Sequence, residues 1–257
     1  MRKYGYLVVE GPHDVEFAYR LLSPFGLKRI RLEQELDDFF APLIPRKYPP
    51  DGDLQKRMPI PLFLQSDTHA IAIHSAIGDS RLVETVDENA SILGLTSITG
   101  IGVLLDSDNK IPAESRYATI KEDLAKKQFI LNDQPGQLTQ GSPKLGAFVL
   151  PDNFADGTLE DLLLDSANSV YPDLLTSAIA YVDKASNGND LTNKDLEDFK
   201  KPAGRNKAVI GAMANVLRPG KAVQTSIQDN RWLRDKALSL PRIQAVQTFL
   251  KALFDIP

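Results

Sequence analysis

The chain has 257 residues, with 30 Lys and Arg against 34 Asp and Glu, a net charge of −4, three His, one Trp and no Cys. At 42% apolar and 25% charged residues it has the composition of a globular protein long enough to bury a real core in one large domain or two modest ones. The lack of Cys excludes a disulfide framework, a cysteine nucleophile, a zinc ribbon and an iron–sulfur centre. No apolar run reaches the roughly 18 residues of a membrane span. The apolar stretch after Met1-Arg2-Lys3 stops at Glu10, too short for a signal-peptide core, so a cytoplasmic location is expected.

Tyr4–Glu10 (YGYLVVE) is apolar, partly β-branched and followed by Gly11-Pro12, which predicts a first strand. A helix should follow at once. Pro12 suits a first turn, Asp14 and Glu16 favour its N-terminus, and Val15, Phe17, Ala18, Leu21 and Leu22 form an apolar face. Lys28–Leu32 reads as a second strand and Glu33–Phe40 as a short helix. Six of the 17 prolines stand in 42–61, with Arg46, Lys47, Lys56 and Arg57, so this Pro-rich insertion should carry no regular structure. Leu62–Leu64 and Ala70–Ile73 suit short strands joined through Ser66-Asp67-Thr68, and Ser80–Leu93 a helix.

Ser97–Leu105 (SITGIGVLL) is apolar on both faces, contains two glycines and runs into Asp106-Ser107-Asp108. That is the pattern of a central parallel strand. Ile111–Phe129 should be helical, 131–144 a loop, and Leu145–Leu150 a last strand closed by Pro151. Helices are then expected over Leu159–Ala167, Tyr171–Ala185, Asn193–Lys200, Asn206–Leu217 and Trp232–Phe254. Alternating strands and helices followed by helices alone predict an α/β fold with parallel central strands and helices on both faces. The core would span residues 1–150, with a helical C-terminal part, 151–257, packed on it.

The charge is unevenly spread. Residues 151–199 hold 11 acids and two lysines, a net −9, whereas 200–251 hold 11 basic residues and two acids, a net +9. Two readings suit this split: helices packed against one another, or a basic surface that faces phosphate. On the second, Arg205, Arg218, Lys221, Arg231, Arg234 and Trp232 are candidate strand contacts, although a lone Trp in a helical segment is more often core.

Acidic residues gather at the expected strand ends. Glu10 closes the first strand, and Asp106 and Asp108 share one side if the chain stays extended. Ligands of parallel α/β sheets bind beyond the carboxyl ends of the strands. Carboxylates converging there call for a cation, and oxygen donors suit Mg²⁺ or Mn²⁺. Thr158 and Asp161 have capping-box spacing, which gives Asp161 a structural reason, while Glu160 is not needed by the cap. Lys207 is in register with Ile210, Ala214 and Leu217, so it either snorkels outward or points at an anion. His13, His69 and His74 have no ligand spacing, and neither a Walker or dinucleotide loop nor a Gly-x-Ser-x-Gly elbow is present.

Val9-Glu10-Gly11 with Asp14, and Leu104-Leu105-Asp106-Ser107-Asp108, resemble the two acidic motifs of the Toprim fold of topoisomerases, bacterial primases, recombination mediators and overcoming-lysogenization-defect nucleases. The whole chain resembles Toprim-like bacterial proteins of unknown function, the DUF3226 type. That likeness also runs through Leu150-Pro151-Asp152-Asn153 into Gly157-Thr158-Leu159-Glu160-Asp161. It implies a Toprim-like Rossmannoid core with a helical C-terminal extension. Glu10, Asp106 and Asp108 would bind Mg²⁺ or Mn²⁺, Glu160 with Asp161 would serve a second ion, and Lys207 would steady charge on a phosphate. Ser107 and Asn109 stand where the nuclease branch usually carries Gly or a further acid. The implied activity is metal-dependent phosphodiester chemistry on nucleic acid, DNA or RNA, as a nuclease whose catalytic residues are Glu10, Asp106, Asp108 and Lys207. The same residues also fit a catalytically inactive module that binds nucleic acid or a nucleotide. A third reading is an interaction protein of a defence or repair assembly, acting through 42–61 and the basic residues 200–251. No membrane partner is expected.

Overall fold

The computed structural model of the chain describes residues 2–47, 60–107 and 111–257. Most of the Pro-rich insertion, 48–59, and Asp108 lie outside these residues. Two compact units are formed, Met1–Leu105 with Tyr117–Phe148 and Gln247–Pro257, and Asp106–Arg116 with Val149–Val246. The division therefore does not follow a single cut at residue 150.

The first unit carries most of a six-stranded sheet. Its strands are β1 (Lys3–Val9), β2 (Lys28–Arg29), β3 (Leu62–Gln65), β4 (His69–Ser75), β5 (Ile98–Asp106) and β6 (Lys144–Leu150). They lie in the order β2-β3-β4-β1-β5-β6. β1 pairs in parallel with β4 and β5, whereas β2–β3 and β3–β4 are antiparallel. The apolar β5 is thus an interior strand, and the turn at 66–68 joins an antiparallel hairpin as its composition suggests.

Helices cover both faces of this sheet. The Tyr6 hydroxyl donates to the Thr85 carbonyl (3.4 Å) of α2 (Leu82–Leu93), so α2 lies on the face to which Tyr6 points. Side chains alternate along a strand, so Gly5 faces the other way, toward the last part of α8 (Pro241–Phe254). A Cβ on Gly5 would strike the Phe254 ring, one on Gly100 the Leu253 carbonyl oxygen, and one on Gly102 the Leu253 side chain at 2.5 Å. The two glycines of the β5 pattern are there because residues 247–254 rest directly on the backbone of the sheet. Asp255 fastens this segment by pairing with Lys3 (3.3 Å) and Lys144.

Three departures in this unit have physical causes. The second strand keeps only Lys28–Arg29, since Leu32 is half exposed and finds no core. The predicted helix at 33–40 is replaced by two short 3-10 segments, Glu33–Glu35 and Asp38–Leu43. Asp37 caps the second by accepting from the Phe39 amide (3.1 Å). α3 is trimmed to Ala113–Lys126, after Pro112 and before Gln128, whose φ of 69° ends a helix.

The second unit holds α4 (Leu159–Val170), α5 (Pro172–Ser186), α6 (Gly204–Leu217), α7 (Val223–Asp229) and the start of α8. The expected helix Asn193–Lys200 is a series of turns instead. Thr192 and Asp195 exchange cap hydrogen bonds there, but almost every side chain is exposed, and a short helix without a buried face is marginal in water. The expected helix from Trp232 to Phe254 breaks at Pro241, with a 3-10 segment, Asp235–Ser239, before it. Trp232 is fully buried, donates from Nε1 to Ser226 Oγ (2.8 Å) and meets Tyr171 edge-on at 5.9 Å. It is a core residue and has no face to offer a nucleobase.

The opposite charges of 151–199 and 200–251 meet inside this unit. Arg205 makes a two-pronged contact with Asp183 (2.8 and 2.8 Å). Arg242 reaches Asp152 (2.9 Å) and Asp165 (3.4 Å). Arg218 pairs with Asp229 (3.1 Å), and Arg231 lies over the Tyr171 ring at 5.0 Å. Arg205, Arg242 and Lys201 thus pair with acids of 151–199, whereas Arg218 and Asp229 both belong to 200–251. Among the described residues no helix is long and apolar enough to cross a membrane.

Gly100→Ala should cost about 2 kcal/mol by overpacking, while Gly211→Ala, in the interior of α6 with open space at its Cβ position, should gain about 0.5–1 kcal/mol. Urea unfolding of the two variants measures both.

Candidate functional site

In the first unit, Val9 pairs with Ser75 on one side and Leu104 on the other, so β4, β1 and β5 end at one edge. β1 stops at Val9, leaving Glu10 as the first residue beyond it. The Glu10 carbonyl accepts from the Gly78 amide (3.0 Å) and the Ser75 hydroxyl (3.5 Å), which fixes the chain as it turns into α1 (Pro12–Leu22). Asp14 accepts from the Gly11 amide (2.9 Å) and so caps its own helix. His69 and His74 are buried on β4 with partners. His69 faces Thr68 Oγ1 (2.8 Å) and the Asp255 carbonyl (3.2 Å), and His74 Nδ1 faces the Tyr6 hydroxyl (2.9 Å). Burial pushes the Tyr6 phenol well above its ordinary pKa. A cavity of about 280 Å³ opens beside His74, lined by Pro42, Leu43, Arg81, Thr85 and Asn89.

In the second unit, Asp106 is the last residue of β5. Its Oδ1 accepts from the Leu159 amide (2.8 Å), the first of α4, where unpaired N–H groups and the helix dipole favour an anion. Arg116 Nε donates to the Asp106 carbonyl (3.2 Å). Ser107 is fully buried. Its amide donates to the Leu150 and Gly157 carbonyls (both 3.2 Å), and its hydroxyl accepts from the Gly157 amide (2.7 Å) and faces that residue's carbonyl (3.0 Å). Ser107 is thus the tie between the end of β5 and the loop before α4.

Glu160, in the first turn of α4, is only 4% exposed. Asp161 completes the expected cap through the Thr158 amide (2.8 Å), and its other oxygen accepts from Asn206 (3.0 Å) at the start of α6. Lys207 follows Asn206 and is exposed. The second unit thereby gathers Asp106 at the N-terminus of the helix carrying Glu160 and Asp161, with the first turn of α6 joined to Asp161. Glu10 belongs to the first unit and Asp108 lies outside the described residues. Among the described residues no group of three His, Cys, Asp or Glu is placed to hold a metal ion.

From sequence the run from Pro151 to Gly157 entered through the family likeness, with no role given to Asp152 or Asn153. Asp152 Oδ1 accepts from the amides of Phe154 (3.1 Å) and Ala155 (2.7 Å), while Oδ2 meets Arg242. Asn153, at φ 73°, accepts from the Val149 amide (2.8 Å). Pro151-Asp152-Asn153 and Asp156-Gly157 are turn composition, and that was the available signal.

The family described as Protein of unknown function (DUF3226) matches residues 4–255. The chain belongs to this family. No curated protein was found to match it. Among solved structures it is similar to a hypothetical protein of Pyrococcus horikoshii OT3, known from a crystal structure. The likeness covers 98% of this chain and 95% of that one, with a TM-score of 0.53 at 17% identity. At that identity the two share a fold, and this DUF3226 chain takes no activity from its neighbour.

Burial pushes the Asp152 carboxyl up, but the Ala155 and Phe154 amides and Arg242 outweigh it and hold its pKa below the ordinary carboxylate value. A lowered folded-state pKa adds stability above the unfolded value, and that stability is lost as pH falls through the folded one. Asp152→Asn should therefore lose about 1–2 kcal/mol near pH 7, and the gap to the parent should close as the pH drops below the ordinary carboxylate range. Denaturant titrations at neutral and acid pH check the sign.

Proposed function

We propose that this DUF3226 chain performs metal-dependent phosphodiester chemistry on nucleic acid, as a nuclease of the Toprim type. The observation that carries the reading is the sheet order. From β1 the chain fills the β2-β3-β4 side, then passes through α2 to β5 on the other flank of β1. The switch in direction falls between the carboxyl ends of β1 and β5, the place where open α/β sheets bind ligands. Glu10 follows one of these strands and Asp106 ends the other.

On this reading Glu10, Asp106 and Asp108 would offer hard oxygen donors to Mg²⁺ or Mn²⁺. A bound divalent cation supplies polarisation of the phosphate and a more acidic water. Glu160 would serve a second ion, with Asp161 holding the start of α4 and Asn206 in place. Lys207, exposed on the first turn of α6, would meet phosphate charge.

Purified protein with Mn²⁺ or Mg²⁺ should cut single- or double-stranded DNA or RNA, and EDTA should stop it. Asp106→Asn, which keeps an oxygen for the Leu159 amide, and Glu10→Gln should each slow cleavage roughly a hundredfold or more. Absence of cleavage on all four substrates, or an Asp106→Asn variant as fast as the parent, overturns the proposal. Metal-dependent binding without turnover would favour the inactive binding module instead.

A further inference from the structure

Phe154 is 85% exposed, more than any other large apolar side chain among the described residues. An aromatic ring left in water usually belongs to a loop loose enough to fold it away. This loop has no such freedom. The Phe154 amide itself donates to Asp152, whose other oxygen is held by Arg242 (2.9 Å). Before it, Asn153 is buried, exchanges two hydrogen bonds with the Val149 backbone (2.7 and 2.8 Å) and takes the left-handed conformation. After it, the Ala155 amide donates to Asp152 (2.7 Å), and Gly157 is locked to buried Ser107 through both its amide and its carbonyl. Asp152, Asn153, Ala155 and Gly157 are all fastened while the ring stands out.

We infer that Phe154 is a stacking platform for an unpaired nucleobase, which gives the proposed phosphodiester chemistry a single-stranded, frayed or flipped-out substrate. The inference rests on that proposed function. Two features favour a base over a protein pocket. Along the loop the ring is the only large apolar side chain: the rest is Asp152, Asn153, Ala155, Asp156 and Gly157, with Asp156 exposed. A protein hot spot is ringed by further contacts that exclude water, whereas stacking needs one π-face and tolerates polar flanks. The residue that grips the loop is also Ser107, between the two aspartates of the Asp-Ser-Asp motif, so the ring is anchored to the strand end where the chemistry is proposed. A paired duplex hides the faces of its bases, so the platform would act only on bases out of the stack.

The test uses the full chain in EDTA, so that binding is read without cleavage. Labelled oligothymidylate, oligouridylate and a blunt DNA duplex are titrated by anisotropy. Phe154→Ala should weaken the preferred single strand about tenfold and leave the duplex within twofold, while Phe154→Trp keeps single-strand affinity. The new indole should be quenched by the single strand, against a constant signal from buried Trp232. DNA and RNA arms identify which strand supplies the base. Unchanged single-strand affinity in Phe154→Ala, or equal loss on single strand and duplex, overturns the inference. If the parent still cleaves in Mn²⁺, the proposed function survives that failure. If the parent neither binds nor cuts any strand, both fall together.

Discussion

Ser107 has no exposed surface, yet it is a polar residue at the end of an apolar strand, and its hydrogen bonds all go to backbone. A buried hydroxyl is tolerated only where its partners are fixed. Gly157 supplies both a donor and an acceptor, and the end of β6 supplies a third contact. This one residue, through its amide and its hydroxyl, therefore ties the end of β5 to β6 and to the loop 151–157 before α4. Asp106 reaches the first amide of α4 because Ser107 has already brought the loop to it. A glycine or a third acid at this position would leave Gly157 without its hydroxyl partner.

Charge has a similar organising part in the second unit. Asp152, Asp165, Asp183 and Asp229 each take an arginine from the basic stretch. Surface pairs of this kind are individually weak, but Arg242 and Asp152 are partly buried and belong to a network that includes the loop amides. Lys207 and Lys221 are exposed, whereas Arg205, Arg218 and Arg242 are occupied within the fold.

Elements with a buried face were readable from sequence. β1, β4, β5, β6, α1, α4 and α5 all follow their apolar patterns, and the Thr158–Asp161 cap forms as its spacing suggests. The failures share a cause. Residues 193–200 have helix-forming composition and a cap but nothing to pack against. Leu32 has strand character but no neighbour to cover it. α7 is seven residues long and carries no cap signal. At the candidate site, Glu10 and Asp106 could be placed at strand ends because strand ends are local features. The role of Ser107 depends on a residue fifty positions later, and no periodicity records that.

The glycine-lined face of β1 and β5 is shaped to receive residues 247–254 and little else. β1 and β5 are synthesised well before the residues 247–254 that cover them. Until that cover forms, the bare strip is open to other polypeptides, so burial of this face waits on a segment far along the chain.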